Sequence, residues 1–476
     1  MNTSLLKTLA AAVTAFSMSA LATGAPQWLD QHEQNLTSLA DQLWHKAELG
    51  YLETESVELL TQTLKDNGFT VKTGVAGIPT AFVAEFGSDG PVIGILAEFD
   101  ALPGISQSSA PIEESVPGKN AAHACGHHLF GAGSVGAAIA AKEWLQANNH
   151  PGRIRLYGTP AEEGGSGKVY MVRAGLFEDT DVVIHWHPDD INSASPFTTL
   201  ANKSAKFRFK GISAHAAAAP EFGRSALDGI EAMNMMVNLL REHVPQETRL
   251  HYVITEGGNA PNVVPNFAES FFYARHPNAT TLASIWERLL DTARAAALGT
   301  GTEVEWEVIH GNHSILPNEA LAQVMHKNLV AAGGIQYNKK EQQFAEKIKA
   351  SFPEEKRHEP SANSVEDYRF YQRMGSTDVG DVSWNVPTVG LSTATWVPGT
   401  SAHTWQAVAA GGTSIGHKGM MLAAKVMSQT AIDLFSQPEL IAQANKEFKK
   451  LRGDNFNYVP LLGDRKPPLD YRRTTH

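Results

Sequence analysis

One cysteine, Cys125, is all that a chain of 476 residues contains. No intrachain disulfide can form, so the fold rests on its apolar core, which a chain of this length can supply. Positive charge is also short. There are 39 Lys and Arg against 50 Asp and Glu, a formal net charge of -11. That balance excludes nucleic acid as the partner, because phosphate contacts need a basic surface. It leaves room for an acidic small substrate in a locally positive pocket. No run reaches the ~20 apolar residues that a membrane span needs. What is present, 42% hydrophobic and 19% charged residues, fits a folded globular protein of two or three domains.

The first residues read as a signal peptide over 1–22. Lys7 gives a sparse positive start, Leu9 to Leu21 is apolar and small, and Ala20-Leu21-Ala22 offers a cleavage site. The expectation is a periplasmic or secreted protein; an ordinary N-terminal helix is the plainer alternative. An unpaired thiol in an oxidising compartment is prone to oxidation unless buried or metal-bound.

Apolar residues at helical spacing (Leu36, Leu39, Leu43, then Val57, Leu60, Leu64) predict helix within 27–68. Strand-like runs at 81–86, 92–98, 153–158 and 182–187 alternate with helical stretches at 129–148 and 169–176. This order predicts an α/β fold with a mixed, mostly parallel sheet. Near Ser204 the pattern changes to strand, helix, strand, strand, helix, strand, ending near Asn312. That is the order of a ferredoxin-like α+β unit. The expected organisation is therefore a catalytic domain built from two separated segments, 23–203 and 314–476, with an inserted lid/dimerisation domain at 204–313. The polar tail after Arg452 shows no element.

Four clusters sit at strand ends or in glycine-containing turns, where open α/β sheets bind ligands. Cys125-Gly126-His127 offers a thiolate and an imidazole two residues apart. Alone it reads equally well as a buried cysteine beside a structural histidine. In Pro160-Ala161-Glu162-Glu163-Gly164-Gly165, one carboxylate can ligate a metal while its neighbour handles protons. A solvated acidic turn is the plainer alternative. His185-Trp186-His187-Pro188 ends an apolar strand, with His187 nearest the sheet's edge. Ser401-Ala402-His403 follows a Gly- and Pro-containing loop and could be incidental. Together, Cys125, His127, Glu163, His187 and His403 make a two-metal donor set suited to zinc, manganese, cobalt or nickel, with zinc or manganese foremost. A carboxylate such as Glu163 would bridge the ions.

These motifs resemble the aminoacylase/carboxypeptidase-type metallopeptidases, in the amidohydrolase branch that includes hippurate, indole-acetyl-amino-acid and aminobenzoyl-glutamate hydrolases. The resemblance runs from Trp28 to Phe435. It is most specific in Leu96-Ala97-Glu98-Phe99-Asp100-Ala101-Leu102-Pro103-Gly104 and in Gly375-Ser376-Thr377-Asp378-Val379-Gly380-Asp381-Val382-Ser383-Trp384, which match members of the aminobenzoyl-glutamate type. It implies two divalent metal ions on the five residues named above, with Glu162 as general base. It implies that His215, in Ile212-Ser213-Ala214-His215, helps bind the scissile carbonyl oxygen, in cis or from a partner subunit. Asn262 and Arg275 are implied substrate contacts. Two departures stand out. Glu98 replaces a metal-binding His of other relatives, which makes Asp100 a supporting residue rather than a ligand. His128 stands where relatives often have Asn. The resemblance further implies a homodimer through the lid, or pairing with a homologous second subunit.

The activity implied is hydrolysis of an N-acyl or N-aroyl amino acid. Three alternatives are a metallo-dipeptidase on free peptides, a thiol hydrolase with Cys125 as nucleophile, and a non-catalytic periplasmic ligand-binding protein.

Overall fold

The computed structural model describes residues 25–357 and 361–473. The signal-peptide reading lies outside the described residues. No helix among them is long and apolar enough to cross a membrane.

The stretch 27–68 forms two helices, Ala25–Lys46 and Thr54–Asp66. Each turns its leucine stripe inward: Leu36, Leu39 and Leu43 on the first, Val57, Leu60 and Leu64 on the second. Between them, Ala47 and Tyr51 adopt left-handed backbone (φ 46° and 66°), which ends one helix and redirects the chain. The first strands are β1 (Thr70–Thr73), β2 (Phe82–Phe86), β3 (Val92–Ala97), β4 (Arg153–Gly158) and β5 (Val182–Asp189). Four more follow, β6 (Ala201–Lys210), β7 (Arg249–Glu256), β8 (Phe267–His276) and β9 (Glu303–Asn312), and then β10 (Thr388–Ala394).

The main sheet has the order β1-β2-β4-β3-β5-β10. β4, β3, β5 and β10 run parallel, and β1 and β2 add an antiparallel edge. β3 and β10 are buried at every residue, as expected for strands covered on both faces. The helices His127–Ala147 and Ser414–Ser436 pack together against this sheet. The glycine- and alanine-rich face of the first allows close approach: a Cβ on Gly133 would come within 3.1 Å of Trp186.

The second sheet is wholly antiparallel, in the order β7-β8-β6-β9. Its helices, Ala226–Leu240 and Ala279–Thr300, cover one face. With the sheet they bury a separate core of Phe207, Phe209, Ile230, Met233, Phe272, Ile285, Trp286 and Leu289. Along β6 the alternation explains the burial. Ala205, Phe207 and Phe209 point into that core, while Lys206, Arg208 and Lys210 face out. β6 starts at Ala201, earlier than the expected run from Ala205, so residue 204 falls inside the strand.

Candidate metal centre and its supporting residues

The parallel strands place their C-terminal ends on one side of the main sheet, and the chemistry gathers there. β3 leads into Glu98 and Asp100. β4 leads into the turn with Glu162 and Glu163. His187 lies near the end of β5, and the loop after β10 brings in His403. Cys125 and His127 flank Gly126, whose left-handed φ of 77° opens the helix His127–Ala147. Only glycine fits there, because a Cβ would lie 2.6 Å from Pro188. This close approach sets Cys125 Sγ 3.5 Å from His187 Nε2.

Two triads of donor atoms result, Cys125–His127–His187 and Cys125–Glu163–His403. In each, the donor atoms lie within 4.8 Å of one another. Cys125 belongs to both. The residue common to these two triads is the thiol. Cys125 stands between the end of β5 and the His403 loop, where the His403 backbone N–H donates to Ala124 O at 2.9 Å. The structure therefore brings together all five side chains singled out as ligands.

The donor set fits metal ions. His127 Nδ1 donates to Asp100 Oδ1 at 2.9 Å, so Nε2 is the nitrogen that offers a lone pair once a bound cation displaces its proton. That Nε2 faces Glu98 Oε2 at 3.2 Å without a hydrogen bond, and both atoms are buried and unpartnered. Glu163 Oε1 is likewise buried, and the one group facing it is His403 Nε2, an ion-pair contact at 3.2 Å. Converging lone pairs of S, N and O are what a cation satisfies. Burial pushes the Cys125 thiol pKa well up, with the Glu163 charge adding to it, so the thiol is not an activated nucleophile. Burial also raises the Glu163 carboxyl, but the His403 contact and the His127 charge outweigh it and leave its pKa below normal. The same bond with Glu163 raises the pKa of His403.

Glu162 lies beside both triads and groups with Glu98 and His127. Its carboxyl pKa is pushed well up, first by burial and then by the negative charges of Glu98 and Glu163. Asp100 supports the site instead of joining it: besides His127, it accepts the backbone N–H of Glu163 at 2.9 Å. His128 points away, to Gly411 O at 3.1 Å. His185 packs against Gly390 in β10, where a Cβ would come 2.3 Å from its Nε2.

The other expected site residues lie apart from this cluster. His215 and Asn262 are exposed neighbours in the four-stranded unit, where Ala216 N–H donates to Asn262 O at 3.0 Å. His215 Nδ1 accepts from the backbone N–H of Ala217 and Ala218 at 3.2 and 3.1 Å, so in the neutral ring Nε2 carries the hydrogen. Arg275 is half-buried at the seam between the two sheets, and its Nη1 donates to Ser376 Oγ at 3.3 Å.

Sequence reasoning assigned no role to a buried ionic group beneath Glu162. Lys168 Nζ lies 2.6 Å from Glu98 Oε1 and 2.7 Å from Asp378 Oδ1, and all three residues are buried. Burial, the Lys168 charge notwithstanding, pushes the Asp378 carboxyl up to about 7. Glu98 and Asp378 stood in the two most specific motifs, which was the available signal. Their common partner Lys168 gave none.

A mostly parallel sheet with such donors and a spare buried carboxylate at its strand ends defines an amide-bond hydrolase of the metallopeptidase kind. Comparison with known sequences makes this specific. The model of "Peptidase family M20/M25/M40" matches residues 94–406, and the chain belongs to this family. It is 39% identical over 461 residues to the B subunit of p-aminobenzoyl-glutamate hydrolase of Escherichia coli (strain K12), covering 91% of this chain and 96% of that one. It is 30% identical over 440 residues to Xaa-Arg dipeptidase of Mus musculus, covering 89% and 91%. Among solved structures, the fold is shared with a dinuclear metal binding peptidase of the M20 family from Bacillus subtilis. The TM-score is 0.59 at 16% identity, with 86% of this chain and 99% of that one covered. It is also shared with the aminobenzoyl-glutamate utilization protein from Klebsiella pneumoniae, at the same TM-score and identity, covering 86% and 98%.

Proposed function

We propose that this protein is a metal-dependent amidohydrolase that cleaves the amide bond of an N-acyl or N-aroyl amino acid of the aminobenzoyl-glutamate type. The observation that carries the reading is the pair of donor triads sharing Cys125, with Glu162 beside them. The similarity to the B subunit of p-aminobenzoyl-glutamate hydrolase supports the substrate class. Cys125, His127, Glu163, His187 and His403 would hold two divalent ions, zinc or manganese. Such ions supply Lewis acidity toward the scissile carbonyl and make a nearby water more acidic.

Glu162 takes a proton from the attacking water and delivers it to the leaving nitrogen; a carboxyl with a raised pKa suits both halves of that transfer. Asp100 orients the His127 ring and the Glu163 backbone. Glu98, held in place by Lys168 at 2.6 Å, keeps a negative charge beside Glu162 and so favours its return to the protonated form. His215 offers an outward Nε2–H to the carbonyl oxygen, and Asn262 and Arg275 contact the substrate. The four-stranded unit acts as lid and dimer surface. In support, Met235 and Leu239 on its helix and Val253 and Ile254 on its edge strand β7 are exposed. His215 then serves in cis or from the partner. The protein works in the periplasm or outside the cell, as a homodimer or with a homologous second subunit.

The deciding experiment is a metal-by-substrate screen of the purified protein on N-aroyl amino acids, N-acyl amino acids and dipeptides. Turnover of N-aroyl glutamates that is lost on chelation and restored by Zn²⁺ or Mn²⁺ is expected. Faster turnover of dipeptides would favour the second reading, a metallo-dipeptidase, which the likeness to Xaa-Arg dipeptidase supports. Stoichiometric binding without product would overturn both.

A further inference from the structure

The turn that carries Glu162 and Glu163 is strained. Ala161, Gly164 and Ser166 are all left-handed, at φ 57°, 91° and 58°. For the two that are not glycine the Cβ crowds the following carbonyl, so the turn must be held from outside. Glu53 Oε1 accepts the Ala161 N–H at 2.9 Å, and Tyr51 OH donates to Gly165 O at 2.6 Å. The Ser166 hydroxyl bonds His310 Nδ1 at 2.7 Å. At Glu163 itself, Asp100 takes the N–H. The carbonyl oxygen receives two donors, Tyr471 OH at 3.1 Å and Arg472 Nη2 at 2.6 Å. Both come from a distant stretch of chain beyond 406, where the family match ends.

That stretch is tied down along its length, although its described residues after Arg452 form no helix or strand. Phe456 stacks on Trp384 at 4.8 Å between ring centroids. Tyr458 OH donates to Asp381 Oδ1 at 2.7 Å, and Asp381 Oδ2 accepts the His313 N–H just after β9. Arg173 donates to the carbonyls of Gly463 and Arg465 at 2.9 and 2.8 Å. Arg465 Nη1 reaches the carbonyls of Val308 and Ile309, both at 2.6 Å, where β9 bulges as it leaves the four-stranded unit. A bulge leaves ladder groups unpaired, and the guanidinium satisfies them. Tyr471 ends against the turn with no slack: a Cβ on Gly50 would lie 2.5 Å from its hydroxyl, and one on Gly165 would lie 3.2 Å away.

We propose that residues 456–473 form a strap that fixes the catalytic turn, with Tyr471 and Arg472 as positioning residues for Glu163. Pinning the N–H and the C=O of one residue fixes both of its peptide planes, and so the direction of its Cα–Cβ bond. The Glu163 carboxylate is thereby aimed at Cys125 and His403, and Glu162 is aimed with it. The inference rests on the reading of Glu163 as ligand and Glu162 as base.

The test uses the full chain with Tyr471→Phe, Arg472→Met and the double substitution. Backbone hydrogen exchange over 161–167 is compared with that of β3 and β5, alongside Zn²⁺ affinity, kcat and KM. In the double variant, exchange of the turn rises about tenfold while β3 and β5 are unchanged. Zn²⁺ affinity falls about tenfold and kcat by a similar or larger factor, with KM nearly constant. Arg472→Lys, which keeps a donor, recovers part of the loss. Unchanged exchange in the folded double variant overturns the strap. So does raised exchange with unchanged Zn²⁺ affinity and kcat. If the parent protein binds no ion, the functional reading falls on that result alone, and the exchange data still decide the strap.

Discussion

Asp100 and His127 are joined at 2.9 Å between Oδ1 and Nδ1, and the same carboxylate holds the backbone of Glu163 through its other oxygen. One buried acid thus orients a residue from each donor triad. Burial raises its pKa, but the His127 charge and hydrogen bond bring it below the usual carboxylate value, so it stays ionised and acceptor-only. Replacing Asp100 by Asn or Ala is expected to weaken metal binding about 10–100-fold while leaving all five donors in place. Titration with a competing chelator measures this. Unchanged affinity would reduce Asp100 to a packing residue.

Because Cys125 belongs to both triads, its loss should differ in kind from loss of His187 or His403. Cys125→Ser is expected to lower metal content toward zero. His187→Ala and His403→Ala should each retain about one ion per chain, a pattern that follows from two-metal centres with a shared ligand. Elemental analysis after gel filtration distinguishes the two patterns.

Glu162 has a separate signature. Glu162→Gln keeps the shape of the side chain and removes its basicity. A loss of about 10²–10⁴ in kcat is expected, with metal content within error of the parent. Loss of metal with activity retained would exchange the roles of Glu162 and its neighbour.

Lys168 is the one cation set between Glu98 and Asp378, and all three side chains are buried. Lys168→Met strands two buried carboxylates. It should destabilise the fold by about 3 kcal/mol, as is usual when one partner of a buried pair is removed. Urea unfolding reads this directly. Adding Asp378→Asn to Lys168→Met should restore part of the loss; no recovery would mean that shape and not charge sets the site.

Glu53 gives a pH dependence with a definite sign. Burial, with a contribution from the Asp100 charge, raises its carboxyl from the ordinary 4.5 to about 8. The folded state therefore holds a proton that the unfolded state releases between these values. Its contribution to stability is full below the unfolded pKa and is lost as pH rises toward 8. Glu53→Gln should show a smaller fall in Tm between pH 5 and 8 than the parent, measured with the same metal content. An equal or steeper fall would contradict the raised value.

Much of the centre was legible because its pieces are local. Cys125 and His127 share a glycine turn, Glu162 and Glu163 another, and His187 ends an apolar run that reads as a strand. Their convergence followed from parallel strands placing loops on one side. The alternation Ala205, Phe207, Phe209 against Lys206, Arg208, Lys210 likewise announced a half-buried strand of the four-stranded unit. Two things were not legible. Lys168 and Asp378 are 210 positions apart, and no periodicity links them. The segment after Arg452 has neither helix nor strand spacing, because it is held by single side chains bonding to distant backbone.

A protein with a single sulfhydryl, seated where both triads meet, carries its own occupancy gauge. Any ion bound there takes that sulfur as a ligand, so Co²⁺ reports filled centres through a thiolate-to-metal absorption band, with no competing sulfhydryl elsewhere in the chain. Absorbance that rises in step with added Co²⁺ would give a binding isotherm without substrate, product or a second probe.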